Sequence, residues 1–312
     1  MKTVITVKEL EKSYSRRKAV NGISFDIFEG EVIGLLGPNG AGKSTTINML
    51  ATLLHPDKGS IRVLNYDSKK DKNMLKKNIG IIPQDLAIYE EISAEKNVRF
   101  FGSLHGLGGE KLNQYVRDAL ERVSLYDRKD DKPKGFSGGM KRRLNIACGI
   151  VHKPKIIIMD EPTVGIDPQS RNHILQSINV LKRQGITLIY STHYMEEVEA
   201  VADRILIMND GVIIAEGTKE SLTKQVDDQI TYTFHLEQGV NFIQDTLYQI
   251  EGVLDISVAD NLINVTSEQS SNNLNAIISA LLQNDCVLES MTSQKSSLET
   301  VFLELTGRTL RD

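Results

Sequence analysis

The 312-residue sequence contains no tryptophan and only two cysteines, Cys148 and Cys286. The two thiols lie far apart and match no metal-ligand spacing, so neither a disulfide framework nor a cysteine metal site is expected. They read as small core hydrophobes and suit a reducing, cytoplasmic setting. No run of roughly 18 residues is apolar and free of charge, so no membrane-spanning helix is expected. The uncharged stretch Val32–Gly42 is short and ends in glycines. The opening MKTVITVKELEKSYS lacks an apolar core, so it is not expected to act as a signal peptide.

What is present is ordinary for a globular chain: 40% hydrophobic and 25% charged residues. That excludes a disordered or collagen-like chain. The length suggests about two domains, and the charge distribution agrees. Residues 1–222 carry 33 basic and 28 acidic side chains, whereas residues 223–312 carry 4 and 13. A mildly basic body followed by an acidic piece argues for two units, and against a polyanion-binding tail. We place the domains at residues 1–222 and 229–312, with the linker near Gln225, in the polar stretch Lys219–Asp228.

The body alternates short apolar runs with helical patterns. Glu31–Leu36, Lys155–Met159, Thr187–Tyr190 and Arg204–Met208 read as strands of a parallel sheet buried on both faces. Ser44–Leu54, Gly138–His152, Pro168–Gln184 and Met195–Ala202 read as helices, which gives an α/β class. Asn209-Asp210-Gly211 signals a hairpin near a sheet edge. Beyond the linker the order is strand Gln229–Glu237, helix Val240–Ile250, and strands Val253–Val258 and Leu262–Thr266. Helix Leu274–Leu282 and strand Val287–Met291 follow. That β-α-β-β-α-β order is the ferredoxin-like one. A last helix is predicted over Ser297–Leu305, capped by Ser297 or Thr300.

Three segments carry chemistry. GPNGAGKST, Gly37 to Thr45, follows a strand and opens a helix, the setting a phosphate-binding loop requires. Its Gly37, Gly40 and Gly42 let backbone N–H groups turn towards a polyphosphate. Lys43 would neutralise the β- and γ-phosphates, and the Ser44 hydroxyl would ligate Mg²⁺. KIIIMDE is a buried strand ending in Asp160, which suits Mg²⁺, and Glu161, placed to orient or deprotonate an attacking water. FSGGM offers Ser137, Gly138 and Gly139 at a helix N-terminus, a second anion-binding end. The basic run Lys141, Arg142 and Arg143 reads as a solvated helix face, because no interleaved aromatics point to nucleic acid.

In this order the motifs resemble the ATP-binding subunit of an ABC (ATP-binding cassette) transporter over about residues 3–222. Gly37–Thr45, including Asn39, resembles Walker A. Gln84 resembles the glutamine loop, Ser137–Gly139 the signature and Ile156–Glu161 Walker B with its catalytic glutamate. Gly165-Ile166-Asp167 resembles the D-loop, His193 the switch histidine, and Tyr14 the aromatic that stacks on adenine. The resemblance implies ATP and Mg²⁺ as ligands, with Gln84 touching the metal or the water and His193 the γ-phosphate. Phe136 and Met140 depart from the commoner Leu and Gln of the signature. With MKRRL, the SLETVFLELTGRTLRD terminus and the acidic piece, they resemble the daunorubicin/doxorubicin-resistance exporter branch.

The resemblance further implies a head-to-tail pair of ATP-binding subunits, and a homodimer is the simpler arrangement. It implies a separate transmembrane permease and a peripheral place on the cytoplasmic membrane face. The partner's helix is expected near Leu86–His105, where Leu86, Ile88, Ile92, Phe100 and Phe101 read equally as contact surface or as subdomain core. The acidic domain, whose His235 reads as structural, is expected to stabilise the dimer or regulate it. The alternatives are a soluble ABC ATPase acting on ribosomes or DNA, and a regulatory ATP-binding module. The single cassette, the short spacing from Thr45 to Asp160, and intact Lys43, Asp160, Glu161 and His193 weigh against them.

Overall fold

A computed structural model describes residues 2–15, 17–226, 229–237, 244–295 and 298–306. The chain divides into two units, one ending at Lys219 and one beginning at Glu220.

In the first unit β1 (Thr3–Tyr14) and β2 (Arg17–Phe28) pair antiparallel. Ile23, Phe25 and Ile27 alternate along β2 and are buried, so this sheet has one wet face. The next elements are β3 (Val32–Leu36), α1 (Lys43–Leu50), β4 (Lys58–Val63), β5 (Tyr66–Asp67), α2 (Lys72–Asn78) and β6 (Ile79–Ile82). Helices α3 (Ala94–Leu104), α4 (Gly109–Arg122) and α5 (Gly138–Ile150) come next, then β7 (Ile156–Asp160), α6 (Pro168–Arg183) and β8 (Thr187–Thr192). The unit closes with α7 (Met195–Val201), β9 (Arg204–Asn209) and β10 (Val212–Gly217).

The antiparallel sheet has the order β2-β1-β4-β5, and the second sheet the order β10-β9-β3-β8-β7-β6. In the second sheet every pairing is parallel except that of β10 with β9. The residues of β3, β7 and β8 are all buried, because the sheet is covered on both faces. Alternate residues feed two cores. Ile156 and Ile158 of β7 join the core shared with the antiparallel sheet and α1, whereas Ile157 and Met159 join the helical one. Asp210 and Gly211, both with positive φ, make the two-residue turn between β9 and β10.

Two local readings change. The helix expected to reach Leu54 stops at Leu50. Thr52 turns left-handed (φ 59°), Leu53 N–H donates to Asn48 O (2.9 Å), and Thr52 N–H donates to Met49 O (3.1 Å). This pair of bonds closes the helix in a Schellman turn. The expected linker instead contains α8 (Lys219–Val226), in which Leu222 is fully buried, and the unit boundary falls after its first residue.

The second unit contains β11 (Gln229–Leu236), α9 (Gln244–Tyr248), β12 (Val253–Ala259), β13 (Leu262–Glu268), α10 (Leu274–Gln283), β14 (Leu288–Lys295) and α11 (Leu298–Thr306). Its antiparallel sheet has the order β12-β13-β11-β14. One sheet face packs Tyr232, Phe234, Ile263 and Val265 with Leu247, Ile277 and Leu281. The opposite face carries Thr231, Thr233, Asn264 and Thr266, which bond across the strands. The beginning of the helix expected over Val240–Ile250, and the cap Ser297, lie outside the described residues.

Candidate functional site

The phosphate loop is shaped by close backbone approaches. A Cβ at Gly37 would stand 2.3 Å from Met208 O, and one at Gly42 would stand 2.3 Å from Ala19 O. Gly42 also has φ +102°, a conformation open to glycine. Helix α1 begins at Lys43 with no side-chain cap and no acidic residue in its first turn. Its first N–H groups and the positive end of its dipole are left for an anion. The buried Lys43 Nζ donates to Gly37 O (2.7 Å) and Pro38 O (3.1 Å) and lies 3.5 Å from Glu161 Oε1. Burial pushes its pKa down and the Glu161 carboxylate partly opposes this. An ammonium desolvated in this way gains most from an incoming phosphate.

Strand β7 delivers the two carboxylates. Asp160 Oδ1 accepts from Ser191 Oγ (2.6 Å) and from Ser44 Oγ (3.3 Å). Glu161 leaves the strand with φ 44°, in the left-handed region, and its N–H donates to Ser191 O and Ser191 Oγ, both at 3.1 Å. The turn aims the carboxylate back over the loop. Gln84 Nε2 donates to Glu161 Oε2 (3.4 Å), and His193 Nδ1 lies 3.4 Å from Glu161 Oε1. Thus Lys43, Gln84 and His193 converge on one carboxylate. A base held this way can orient and deprotonate a water directed at a phosphate.

Lys43, Ser44, Gln84 and Glu161 border a 360 Å³ cleft that Tyr14, Arg17, Ala19, Asn39, Gly40, Gly42 and Thr45 also line, whereas Asp160 and His193 stand behind its lining. Tyr14 is half-exposed at the end of β1, with Lys12 Nζ 6.0 Å from its ring centroid. Arg17 was not foreseen; its guanidinium donates to Gly40 O (3.3 Å). A larger cavity of 750 Å³ lies between β6 and helices α3 and α5, beside Lys76, Lys77, His105 and His152. In that region Leu86 and Phe100 are exposed, whereas Ile88 and Phe101 pack on the helical core.

Ser137, Gly138, Gly139 and Asp167 are not part of the cleft. Ser137 Oγ caps α5 by accepting from Met140 N–H (3.2 Å). Asp167 Oδ1 caps α6 by accepting from Ser170 N–H (2.9 Å), which holds its carboxyl below the usual range. The two caps belong to one surface, since a Cβ on Gly139 would stand 2.1 Å from Ser170 Oγ.

The basic run is not a solvated face. Arg142 is buried and its guanidinium donates to Pro83 O (3.0 Å) and Gln84 O (2.7 Å). Arg143 donates to Val123 O (2.9 Å), and Lys141 pairs with Glu90 (2.7 Å). Carbonyls distant in sequence take up the two guanidiniums, and a carboxylate the ammonium. Arg142 therefore holds the backbone of the Gln84 segment, a role that spacing alone does not signal. Ser191 was likewise missed.

A buried parallel strand running into a glycine loop and helix, beside a strand ending in paired carboxylates, defines a nucleotide-hydrolysing P-loop domain of the cassette type. The ABC transporter family profile matches residues 20–164. The linearmycin resistance ATP-binding protein LnrL of Bacillus subtilis is 41% identical over 99% of this chain and 100% of its own length. The daunorubicin/doxorubicin resistance ATP-binding protein DrrA of Streptomyces peucetius is 33% identical over 99% and 94%. The dimeric post-hydrolysis structure of the cassette MJ0796 with ADP and Pi is 25% identical (TM-score 0.63), covering 69% of this chain and 98% of that one. The chain belongs to the ATP-binding proteins of the ABC transporter family and is an ATPase. Among the described residues no helix is long and apolar enough to cross a membrane.

Proposed function

We propose that this chain powers export of a small molecule, such as an antibiotic, peptide or lipid-like compound, through a separate membrane-spanning permease. Relatives named for linearmycin or daunorubicin resistance, or for Nod factor export, support the export reading. The observation that carries the paired mechanism is the split site. The cleft holds the phosphate loop, Gln84 and Glu161, whereas Ser137, Gly138, Gly139 and Asp167 lie outside it. A second copy placed head to tail would bring the helix end at Ser137 against the nucleotide, adding N–H donors and a positive dipole end to those of α1. ATP would then complete the interface, and loss of the γ-phosphate would open it. Attached to the permease, the chain would sit peripherally on the cytoplasmic membrane face. The second unit is assigned to stabilising the pair.

In this reading Tyr14 stacks on the base, and Asn39, Gly40, Gly42, Lys43, Ser44 and Thr45 hold the phosphates. The donor set at Ser44 and Asp160, with the Gln84 amide oxygen, consists of hard oxygens and fits Mg²⁺. That ion supplies neutralisation of phosphate charge when bound. Glu161 takes the proton of the attacking water, and His193 contacts the γ-phosphate.

The test compares wild type with Glu161→Gln by gel filtration, with and without Mg·ATP, alongside phosphate release. The variant is expected to bind ATP, cease hydrolysis and run as an ATP-dependent dimer. Hydrolysis at the wild-type rate would overturn the role of Glu161; a monomer with ATP would overturn self-sufficient pairing.

A further inference from the structure

Behind the cleft lies a buried carboxylate that the proposed chemistry does not use. Glu197, in the first turn of α7, is 1% exposed. Its Oε2 accepts three hydroxyls, from Thr163 (2.7 Å), Tyr190 (2.7 Å) and Thr192 (2.9 Å), and Arg171 Nε lies 3.3 Å from its Oε1. A glutamate at this helix position ordinarily reaches back to cap the N-terminus. Here that work is done by Thr192 Oγ1, which accepts from Tyr194 N–H (3.0 Å), while Glu197 turns inward. Burying a carboxylate is costly and needs compensating partners.

The partners are informative. Thr163 lies two residues after Glu161, on the turn that leaves β7. Thr192 immediately precedes His193 at the end of β8. Arg171 lies on α6, whose first turn packs Ser170 on Gly139, and stacks over the Tyr194 ring (4.7 Å). One carboxylate therefore binds the two segments whose ends carry the 3.4 Å His193–Glu161 pair. It also ties them to the helix whose N-terminus is capped by Asp167.

We infer that Glu197 is a positioning residue that fixes the separation of His193 and Glu161. The inference rests on the reading that those two groups act in hydrolysis. Glu197 touches no reacting atom. It acts by tying Thr163 and Thr192 to one charge, so that a shift of either loop costs a hydrogen bond to a buried carboxylate.

The experiment measures steady-state ATP hydrolysis and equilibrium ATP binding of the full chain for Glu197→Gln, Thr163→Val, Tyr190→Phe and the Glu197→Gln/Arg171→Met pair. Glu197→Gln is expected to lower kcat roughly 10- to 100-fold, with KM changed by less than about 2-fold. Adding Arg171→Met should recover part of the loss, because the pair is then removed together. Thr163→Val and Tyr190→Phe should each lower kcat by smaller factors; they carry the test if Glu197→Gln does not fold. Wild-type kcat per nucleotide-binding molecule in these variants, with only a lower melting temperature, would overturn the inference. Glu161→Gln separates the two readings. If it still hydrolyses ATP, the site assignment fails; if it is dead while Glu197→Gln is not, only the positioning role fails.

Discussion

His152 shows how burial sets a single residue's chemistry. Its Nε2–H donates to Ile79 O (3.1 Å), its Nδ1 has no partner among the described residues, and its ring stacks on His105 at 3.6 Å. Burial, with the neighbouring His105, pushes its pKa down to about 4 from an ordinary 6.5. The folded state therefore holds the ring neutral where the unfolded chain would protonate it. Stability from this source is full above pH 6.5 and is lost as the pH falls towards 4, by up to about 3 kcal/mol. Urea midpoints measured over that range should fall for wild type and fall less for His152→Gln. Equal slopes would show that other groups dominate. Arg142 makes a related point. Its neighbours in sequence suggest a wet helix face, but its partners are carbonyls at Pro83 and Gln84, which only folding brings near.

At the scale of elements, the end of α1 is the informative case. The apolar pattern continues to Leu54, so periodicity alone extends the helix. Thr52 stops it by adopting φ 59°, which a β-branched residue tolerates poorly. Thr52→Gly keeps the turn and removes the strain, and should raise stability by about 1 kcal/mol, read as a higher urea midpoint at unchanged slope. A lower midpoint would mean that the Thr52 side chain contributes more than its backbone costs. The phosphate loop differs because its determinants are contiguous. Strand, glycines, Lys43 and Ser44 occupy one short stretch, so sequence and structure coincide there. The switch segment is legible only at His193; the carboxylate beneath it draws donors from Thr163, on the turn after β7, and from Tyr190 and Thr192 on β8.

At the scale of the whole molecule, the described residues of the first unit form two cores of their own and those of the second unit a third. Solved cassettes matched over 92–98% of their length need only 69–72% of this chain, so a cassette of this size folds without an added unit. Truncation after Lys219 is expected to preserve ATP binding and to weaken ATP-dependent pairing in the Glu161→Gln background, read by gel filtration. Pairing as strong as that of the full chain would remove the proposed assembly role of the second unit.

The sequence by itself determined the class, the phosphate loop, the paired carboxylates and, in the first unit, four strands of the second sheet with the helices between them, but not the antiparallel sheet or β6. Those features depend on adjacent residues and on hydrophobic periodicity, which a linear reading contains. Tertiary structure alone decided that Lys43, Gln84 and His193 meet at Glu161, and that Ser137 and Asp167 stand apart from them. It also decided that Arg142 and Glu197 brace the loops. Each of these depends on buried polar groups finding partners far along the chain, because an unpaired group in the interior is costly and only the assembled fold fixes which partner is within reach.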